Sequence, residues 1–394
     1  MWSKWFLLFF LILCALFSAS RLVHLLLYVI LLALALFSWG TSRAFSRLRV
    51  VRALSAAKAF PGQPVNITVV AENGSRLPLG WLQLTAARQP NLVILGPQAA
   101  AGLVPGRGRL ELTYQVAGMR RGHYRLGGIR AAGGDPLGWT TLERVFPDEG
   151  EGLTVYPRTW PLSELPLPAT LPFGRRRHWL RAYEDPSWVG GIRDYSAGDS
   201  LRRIHWRATA RLGHLQVKEL TPTMTAEGWI FLDLAEDRYP SGTAATLGEM
   251  GIEAAASLLV HLHGRGAAVG FASNGRTPEA GEGPVFVPAD LGAEGAETIL
   301  TLLAGIGPGG GMDFAELLAE YGRRASRGSA LFLLTPAWSE ELTRVTLGLR
   351  RLGLLVFPVF LGQTGEAGTA ARAGLPVMTA RRLWETGGVV IRRG

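Results

Sequence analysis

The sequence predicts a multi-domain protein with an N-terminal transmembrane helical hairpin, an all-β sandwich and an α/β domain built on a doubly wound sheet. Two apolar segments fill the first forty residues, alternating apolar and polar residues follow to about residue 157, and buried strands alternate with amphipathic helices from Gly228 onward. The predicted divisions are a membrane anchor at 1–42, the sandwich at 43–157, a linker with a charged segment at 158–220, and the α/β domain at 221–394.

The anchor is predicted from two apolar segments, Trp5–Phe17 and Leu22–Trp39, which Ser18–Arg21 interrupts. One continuous helix would be much longer than the roughly 20 residues that cross a bilayer, so two short spans are expected. Basic residues flank both ends, which places both ends, and the soluble domains, on the cytoplasmic side of the cell membrane. A cleaved signal peptide at residues 4–20 is an alternative, and it leaves the location of the soluble domains unchanged.

The sandwich is predicted from short strands in which apolar and polar residues alternate, such as Val65–Val69, Leu82–Thr85 and Leu110–Tyr114. Residues 157–188 are rich in proline and show little periodicity, which indicates a linker. The α/β domain begins with the buried strand at 229–234. An amphipathic helix follows at 247–262, and this order of strands and helices recurs and favours a parallel sheet.

Composition limits the classes of function. The net charge is +10, but nearly all of the positive charge is arginine scattered along the chain, so we expect biased composition and no nucleic-acid binding. Cys14 is the single cysteine, which excludes an intramolecular disulfide and any multi-cysteine metal site.

Residues 190–220, here called the signature segment, combine arginines, carboxylates and aromatic residues more densely than any other part of the chain. Asp199 is predicted to cap a helix, because an aspartate can accept the free N–H groups of a first helical turn. The spacing of Leu201, Ile204, Ala208 and Leu212 predicts an apolar stripe on that helix, with a strand after Gly213. The charged cluster is compatible with an ion-pair network, a docking surface anchored by Trp206 and arginines, or a catalytic site.

The signature segment closely resembles that of a bacterial family known as the domain-of-unknown-function 58 family. The residues that carry the resemblance are Arg193, Tyr195, Gly198, Asp199, Arg202, Trp206, Arg211, Lys218 and Glu219. The resemblance implies a membrane protein whose C-terminal domain is similar to the von Willebrand factor A fold. It also implies that the protein works with a MoxR-type AAA+ ATPase.

Asp233 ends the first strand of the α/β domain, where ligands bind in such sheets. Von Willebrand factor A domains that bind Mg²⁺ carry Asp-x-Ser-x-Ser there, whereas this chain has Ala235 and Asp237 at the serine positions. Met312 and Thr335 stand where a threonine and an aspartate are expected. Since few hard oxygen ligands remain, we expect no metal and no cofactor, with Asp233 and Asp237 as weak metal candidates.

The sequence contains no Gly-x-Ser-x-Gly and no His-Glu-x-x-His motif. We therefore expect a membrane-anchored adaptor for protein–protein interaction rather than an enzyme. The first alternative is an enzyme, such as a hydrolase, with its site at Arg193–Glu219, and nucleic-acid binding is a second, less favoured alternative. The loops after Asp233, at 309–313 and after Thr335 are expected to converge on one edge of the sheet, with Trp338 as a partner anchor or a core residue.

Overall fold

The structure is a computed structural model that describes residues 20–89, 91–147, 152–162, 189–196, 199–201, 204–220, 227–278, 281, 283–362, 367–382 and 389–393, together with positions 6, 9, 12, 13 and 17. The chain divides into two compact units, Met1–Pro157 and Arg158–Gly394. Each unit has its own hydrophobic core and is described by itself.

The first unit begins with an apolar helix, α1, at Arg21–Ser46. Ser20 is extended, so the helix starts where the sequence predicts a turn. By length and composition α1 can cross a membrane, a property that it shares with signal sequences near an N-terminus. The other predicted span, Trp5–Phe17, lies outside the described residues apart from isolated positions.

A β-rich region follows α1, as predicted. Its strands are β1 (Leu48–Leu54), β2 (Lys58–Ala59), β3 (Val65–Asn73), β4 (Leu79–Ala86), β5 (Leu92–Leu95), β6 (Ala99–Val104), β7 (Arg109–Gly118), β8 (Gly122–Tyr124), β9 (Ile129–Gly134), β10 (Thr141–Phe146) and β11 (Leu153–Val155). Two antiparallel sheets, β1-β3-β7-β5 and β10-β9-β4-β6, bury alternate residues such as Ile67 and Leu84 in one shared core. A small third sheet has the order β2-β11-β8.

The junction between α1 and the strands is short. Thr41, Ala44 and Phe45 in the last turns of the helix are buried, and the ring of Phe45 lies against Gly133 of β9. Arg47 alone separates the helix from β1. The end of α1 is therefore part of the core of the first unit.

The second unit begins with residues that were predicted to be linker. Leu162 is buried in the core, and the Trp160 backbone N–H donates to the Ser257 hydroxyl at 3.0 Å. Residues 158–162 therefore belong to the α/β core, because their apolar side chains cover a helix. The rest of the predicted linker, residues 163–188, lies outside the described residues.

Next come β12 (Val189–Asp194), the helix α2 (Trp206–Leu212) and β13 (Gln216–Leu220). The α/β domain then consists of β14 (Glu227–Leu232), α3 (Ala244–Gly264), β15 (Ala268–Ser273), β16 (Val285–Asp290), α4 (Ala293–Gly305), α5 (Phe314–Tyr321), β17 (Ala330–Thr335), α6 (Glu340–Arg351), β18 (Leu355–Leu361), α7 (Ala367–Arg372), β19 (Met378–Arg382) and β20 (Val389–Arg393).

The seven-stranded sheet has the order β16-β15-β14-β17-β18-β19-β20. Its five central strands are parallel, as predicted, whereas the edge strands β16 and β20 are antiparallel to their neighbours, which makes the sheet mixed. Ile230 and Leu232 pack with α3 and α4, while Trp229 and Phe231 pack with α5 and α6 on the other face. Helices on both faces leave the carboxyl ends of β14, β15 and β17 at one edge, here called the rim.

Candidate functional site

The signature segment forms a small antiparallel hairpin with a helix inserted between its strands. Arg193 of β12 lies opposite Val217 of β13, and Gly191 lies opposite Glu219. Ile204 forms a further bridge with Val217, and both side chains are buried. These pairs fix where α2 begins and ends.

The predicted helix start at Asp199 is wrong, because α2 begins at Trp206. His205 is the N-cap, and its Nδ1 accepts the N–H of Ala208 at 3.1 Å. The N–H of His205 donates to the Gln216 carbonyl at 2.8 Å. Since Ile204 and His205 are bonded to β13, the helix cannot extend back to Asp199. The helix does end at Gly213, whose φ of 77° is left-handed.

Asp199 instead pairs with Arg193, here called the Arg193–Asp199 pair. The two guanidinium NH groups donate to the two carboxylate oxygens at 2.7 and 2.6 Å, and the Ser196 N–H donates at 2.9 Å. The bonds from Arg193, then that from Ser196, lower the pKa of Asp199 to about 2. The carboxylate is therefore charged at neutral pH, and it ties the loop after β12 to that strand.

The remaining signature residues have varied positions. Tyr195 is half-buried, and its N–H donates to the Leu215 carbonyl at 3.0 Å. Lys218 is half-buried in β13, next to Glu219, and Arg211 is exposed on α2. Gly198 and Arg202 lie outside the described residues.

Gln216 and Thr209 hold this hairpin together, and the sequence does not indicate either role. Gln216 is buried, its N–H donates to the Thr209 hydroxyl at 3.0 Å, and its amide nitrogen donates to the Asp194 carboxylate. These bonds fasten α2 and β12 to β13. The only local signal is a polar residue at the start of an apolar strand, which is too common to predict burial.

The predicted apolar stripe of α2 does not face a core. None of the seven residues of α2 is buried, and its last residue, Leu212, is exposed. Leu201, which precedes the helix, is also exposed. Trp206 is 67% exposed, and Arg207, Ala210 and Arg211 of the same helix are exposed as well, within an arc of about 140° around the helix axis. We call these four residues the signature face.

The rim contains a buried polar cluster around Asp233, which is 1% exposed. Its two carboxylate oxygens accept bonds from the Asn274 amide at 3.1 Å and the Thr335 hydroxyl at 2.9 Å, and the Ala235 N–H donates at 3.3 Å. Burial raises the pKa of Asp233 despite these donors. The expected convergence of three loops is present, since the Asn274 amide also donates to the Met312 carbonyl at 3.1 Å.

Further polar contacts at the rim involve residues next to this cluster. The Tyr239 hydroxyl donates to the Asp233 carbonyl at 2.6 Å, and Arg238 forms an ion pair with Asp313. Asp237, the other weak metal candidate, is exposed in the adjacent turn. In the described part of the chain, no group of three or more His, Cys, Asp or Glu side chains is placed to hold a metal ion.

Trp338 is a core residue and not an exposed anchor. It is 5% exposed, packs against Phe360 and donates its indole N–H to the Thr343 hydroxyl at 2.7 Å. Asn274, which sequence analysis missed, is the residue that joins Asp233 to the Met312 loop. Asn274 follows a buried strand, but no sequence pattern distinguishes an asparagine at that position from an ordinary loop residue.

The signature segment and the rim fall within one family match. Residues 191–353 match the family model described as "Protein of unknown function DUF58". The chain contains a DUF58 domain. The match runs from β12 to the residue two positions after α6, so the DUF58 domain includes both the Arg193–Asp199 pair and Asp233.

Solved structures add little to the DUF58 match. Proximal thread matrix protein 1 from the mussel byssus is 14% identical with a TM-score of 0.31, and the alignment covers 40% of this chain and 43% of that chain, so the chain spans less than half of that protein. The FixG-related protein from Vibrio parahaemolyticus is 12% identical with a TM-score of 0.18, covering 26% and 98%. At such TM-scores neither likeness supports an argument. A comparison with curated proteins gave no match.

Proposed function

We propose that the protein is a membrane-anchored adaptor without enzymatic activity of its own, and that its DUF58 domain binds a MoxR-type AAA+ ATPase. The observation that carries this proposal is the signature face, a short helix surface on which a 67% exposed tryptophan and two arginines are all accessible. Tryptophan and arginine are the residue types that dominate binding energy at protein interfaces.

The way in which α2 is held supports a docking role. A helix of seven residues is unstable in isolation, so its position depends on the bonds that fasten it to the hairpin. The His205 cap, the Thr209–Gln216 bond and the Ile204 bridge supply them. Trp206 is therefore exposed on a helix whose position is fixed, and it does not contribute to the core. Binding a partner there would cost little conformational entropy, because the helix is already ordered.

The rim supports the non-enzymatic part of the proposal. We assign the α/β domain to the von Willebrand factor A-like class, on the strength of the doubly wound sheet and the aspartate that follows its first strand. In that class the aspartate serves a cation, whereas here its oxygens accept bonds from an amide, a hydroxyl and a backbone N–H. In the Arg193–Asp199 pair, the guanidinium group and the carboxylate likewise bind each other. This pairing favours a structural role for the two residues over a role in hydrolysis.

The anchor places this interaction at the membrane. α1 is apolar, and the arginines that follow it, including Arg43 and Arg47, favour a cytoplasmic location for both units. Alkaline phosphatase and green fluorescent protein, each fused after Gly394, test the orientation. A fluorescent, phosphatase-inactive pattern is expected, and the reverse pattern would contradict it.

Co-purification of the ATPase from native membranes tests the docking role. Trp206→Ala is expected to remove most of the bound ATPase with no change in thermal melting, because the side chain packs against no core. Leu352→Ala is the matched control, since Leu352 is also exposed and lies in the DUF58 domain outside the signature face. Equal retention by both variants would exclude the signature face as the docking surface.

A further inference from the structure

The end of the sandwich from which α1 emerges is built from one junction and three loops. β1 starts at this end, because Leu48 lies opposite Asn73, the last residue of β3. The β3–β4, β6–β7 and β9–β10 loops are at the same end, since Leu79 lies opposite Val104 and Gly134 lies opposite Thr141. The remaining strand connections lie at or toward the far end.

Direct contacts join the β3–β4 loop to the end of α1 and the β6–β7 loop to the β3–β4 loop. The Gly74 N–H donates to the Arg47 carbonyl at 3.2 Å, and the Arg107 N–H donates to the Ser75 carbonyl at 2.8 Å. A Cβ built on Gly40 would lie 3.8 Å from Leu77. The loop 74–78 therefore lies beside α1 at about the point where its exposed apolar part ends, and the loop 105–108 lies next to it.

The β9–β10 loop has a fixed shape. Asp135 is buried, and its carboxylate accepts the N–H groups of Leu137 at 2.9 Å, Trp139 at 3.0 Å, and Thr140. Burial alone would raise the pKa of Asp135, but these backbone donors outweigh it and lower the pKa. The turn consequently presents Leu137, which is 66% exposed, at its tip.

The side chains at this end combine positive charge with apolar surface. We call them the collar: Arg43, Arg47, Arg76, Arg107, Leu137 and Trp139. The four arginines are exposed, and none of them pairs with a carboxylate among the residues that the structure describes. Of the acidic residues at this end, Asp135 is buried and bonded within its own loop, and the exposed Glu72 lies between Arg49 and Arg109 in the sheet.

We propose that the collar binds the headgroup layer of an anionic lipid bilayer, in the leaflet from which α1 emerges. Arginine side chains bind lipid phosphates, and clusters of basic residues next to a membrane helix are attracted to anionic lipids. Leucine and tryptophan at the same level enter the interfacial zone, where tryptophan is enriched. This inference rests on the proposed anchoring by α1, and it adds that the sandwich lies flush with the membrane.

The test uses the full chain in vesicles of phosphatidylcholine with phosphatidylglycerol, and in phosphatidylcholine alone. Cys14, the only cysteine, is first replaced by serine. A single cysteine is then placed by Leu137→Cys or, as a control, by Met119→Cys, and labelled with the fluorophore NBD. Met119 is also exposed, but it follows β7 at the opposite end of the sandwich.

In anionic vesicles the label at position 137 is expected to shift its emission to the blue and to be quenched by lipids spin-labelled near the headgroup. The label at position 119 should show neither effect, and the effects at 137 should weaken in phosphatidylcholine alone. Replacing the four collar arginines with glutamine should reduce quenching at 137 while the protein still resists extraction by carbonate.

The outcomes separate this inference from the anchor. Carbonate resistance with indistinguishable signals at 137 and 119 would overturn the collar and leave the anchor standing. Extraction of the unsubstituted protein by carbonate would overturn both. Quenching at 137 that is unaffected by lipid charge and by the four glutamines would overturn the role of the arginines.

Discussion

Asp199 and Asp233 are two hydrogen-bonded carboxylates in one DUF58 domain, yet their environments act in opposite directions. The Asp199 side chain is 20% exposed and faces a guanidinium group, and its pKa is about 2. Asp233 is 1% exposed and faces an amide and a hydroxyl, and its pKa is raised. The number of donors is similar, so the direction of the pKa shift is decided by burial at Asp233 and by the direct guanidinium bonds at Asp199.

The comparison shows which carboxylate the fold depends on. The Arg193–Asp199 pair lies at the surface, where water screens the attraction between the charges. The Asp233 cluster joins the loops after β14, β15 and β17 where no water replaces a lost partner. Asp233 therefore governs stability, and Asp199 governs the position of one loop.

The largest effect is expected for Asp233→Ala. The change leaves the Ala235 N–H and one N–H of the Asn274 amide without acceptors, each costing about 1–3 kcal/mol. Asp233→Asn is the matched control. Its amide oxygen still accepts from Asn274, and its NH₂ group can donate to the Thr335 hydroxyl, whose single proton can then go to the Ala337 carbonyl at 2.7 Å. Denaturant unfolding should show a large loss for alanine and a small change for asparagine, and equal losses would contradict this account.

The raised pKa of Asp233 also makes the stability of the protein depend on pH. An aspartate whose pKa is raised by folding stabilises most below its ordinary pKa of 3.8, and this contribution is lost as the pH rises through the raised value. Asparagine cannot ionise, so the Asp233→Asn variant should gain stability relative to the unsubstituted protein as the pH increases. Unfolding curves measured across the acidic and neutral range check this, and a constant difference would refute it.

A smaller effect is expected for Asp199→Asn. The pKa of Asp199 is lowered from 3.8 to about 2, so the pair stabilises above pH 4 and this contribution is lost as the pH falls through about 2. The melting temperature of the variant should be slightly lower than that of the unsubstituted protein at neutral pH, and the difference should be smaller at high salt. Arg193→Lys, which keeps the charge and loses the two parallel bonds, should behave in the same way. A loss as large as that of Asp233→Ala would show that the pair supports the core.

The smallest effect is expected for metal ions. Because the oxygens of Asp233 accept bonds from protein groups, Mg²⁺ or Mn²⁺ should not change the melting temperature of the chain. Melting in chelator serves as the reference. Micromolar binding measured by calorimetry, and its disappearance in Asp233→Asn, would restore the rim as a metal site.

The sequence predicts where the strands of this fold lie along the chain better than whether they run parallel or antiparallel. Alternation locates β3 and β4 because each strand buries one face, and the continuous apolar run locates β14 because both its faces are covered. Periodicity does not reveal whether a strand runs parallel or antiparallel. The antiparallel edges β16 and β20 could therefore not be distinguished from the parallel strands of the centre.

The site was predicted in part. An ion-pair network was one of three interpretations of the charged cluster, and the structure contains such a pair, between Arg193 and Asp199. The helix start was wrong because two residues compete for the cap, and the bridge from Ile204 to β13, a contact distant in sequence, favours His205. Asn274 was missed for the same reason, since its bonds to Asp233 and Met312 join loops that are remote along the chain.

Under the proposed anchoring by α1, the insertion of Phe45 into the core of the sandwich would limit how the protein adapts to a membrane. About 20 residues of α1 precede Thr41, and they span about 30 Å, close to the thickness of the hydrocarbon layer. A helix with a free end could slide to match a thicker or thinner bilayer, but this helix is held at its last turn. Mismatch must instead be absorbed by tilt of the helix or by deformation of the lipid. The tilt of the sandwich therefore follows the thickness of the bilayer.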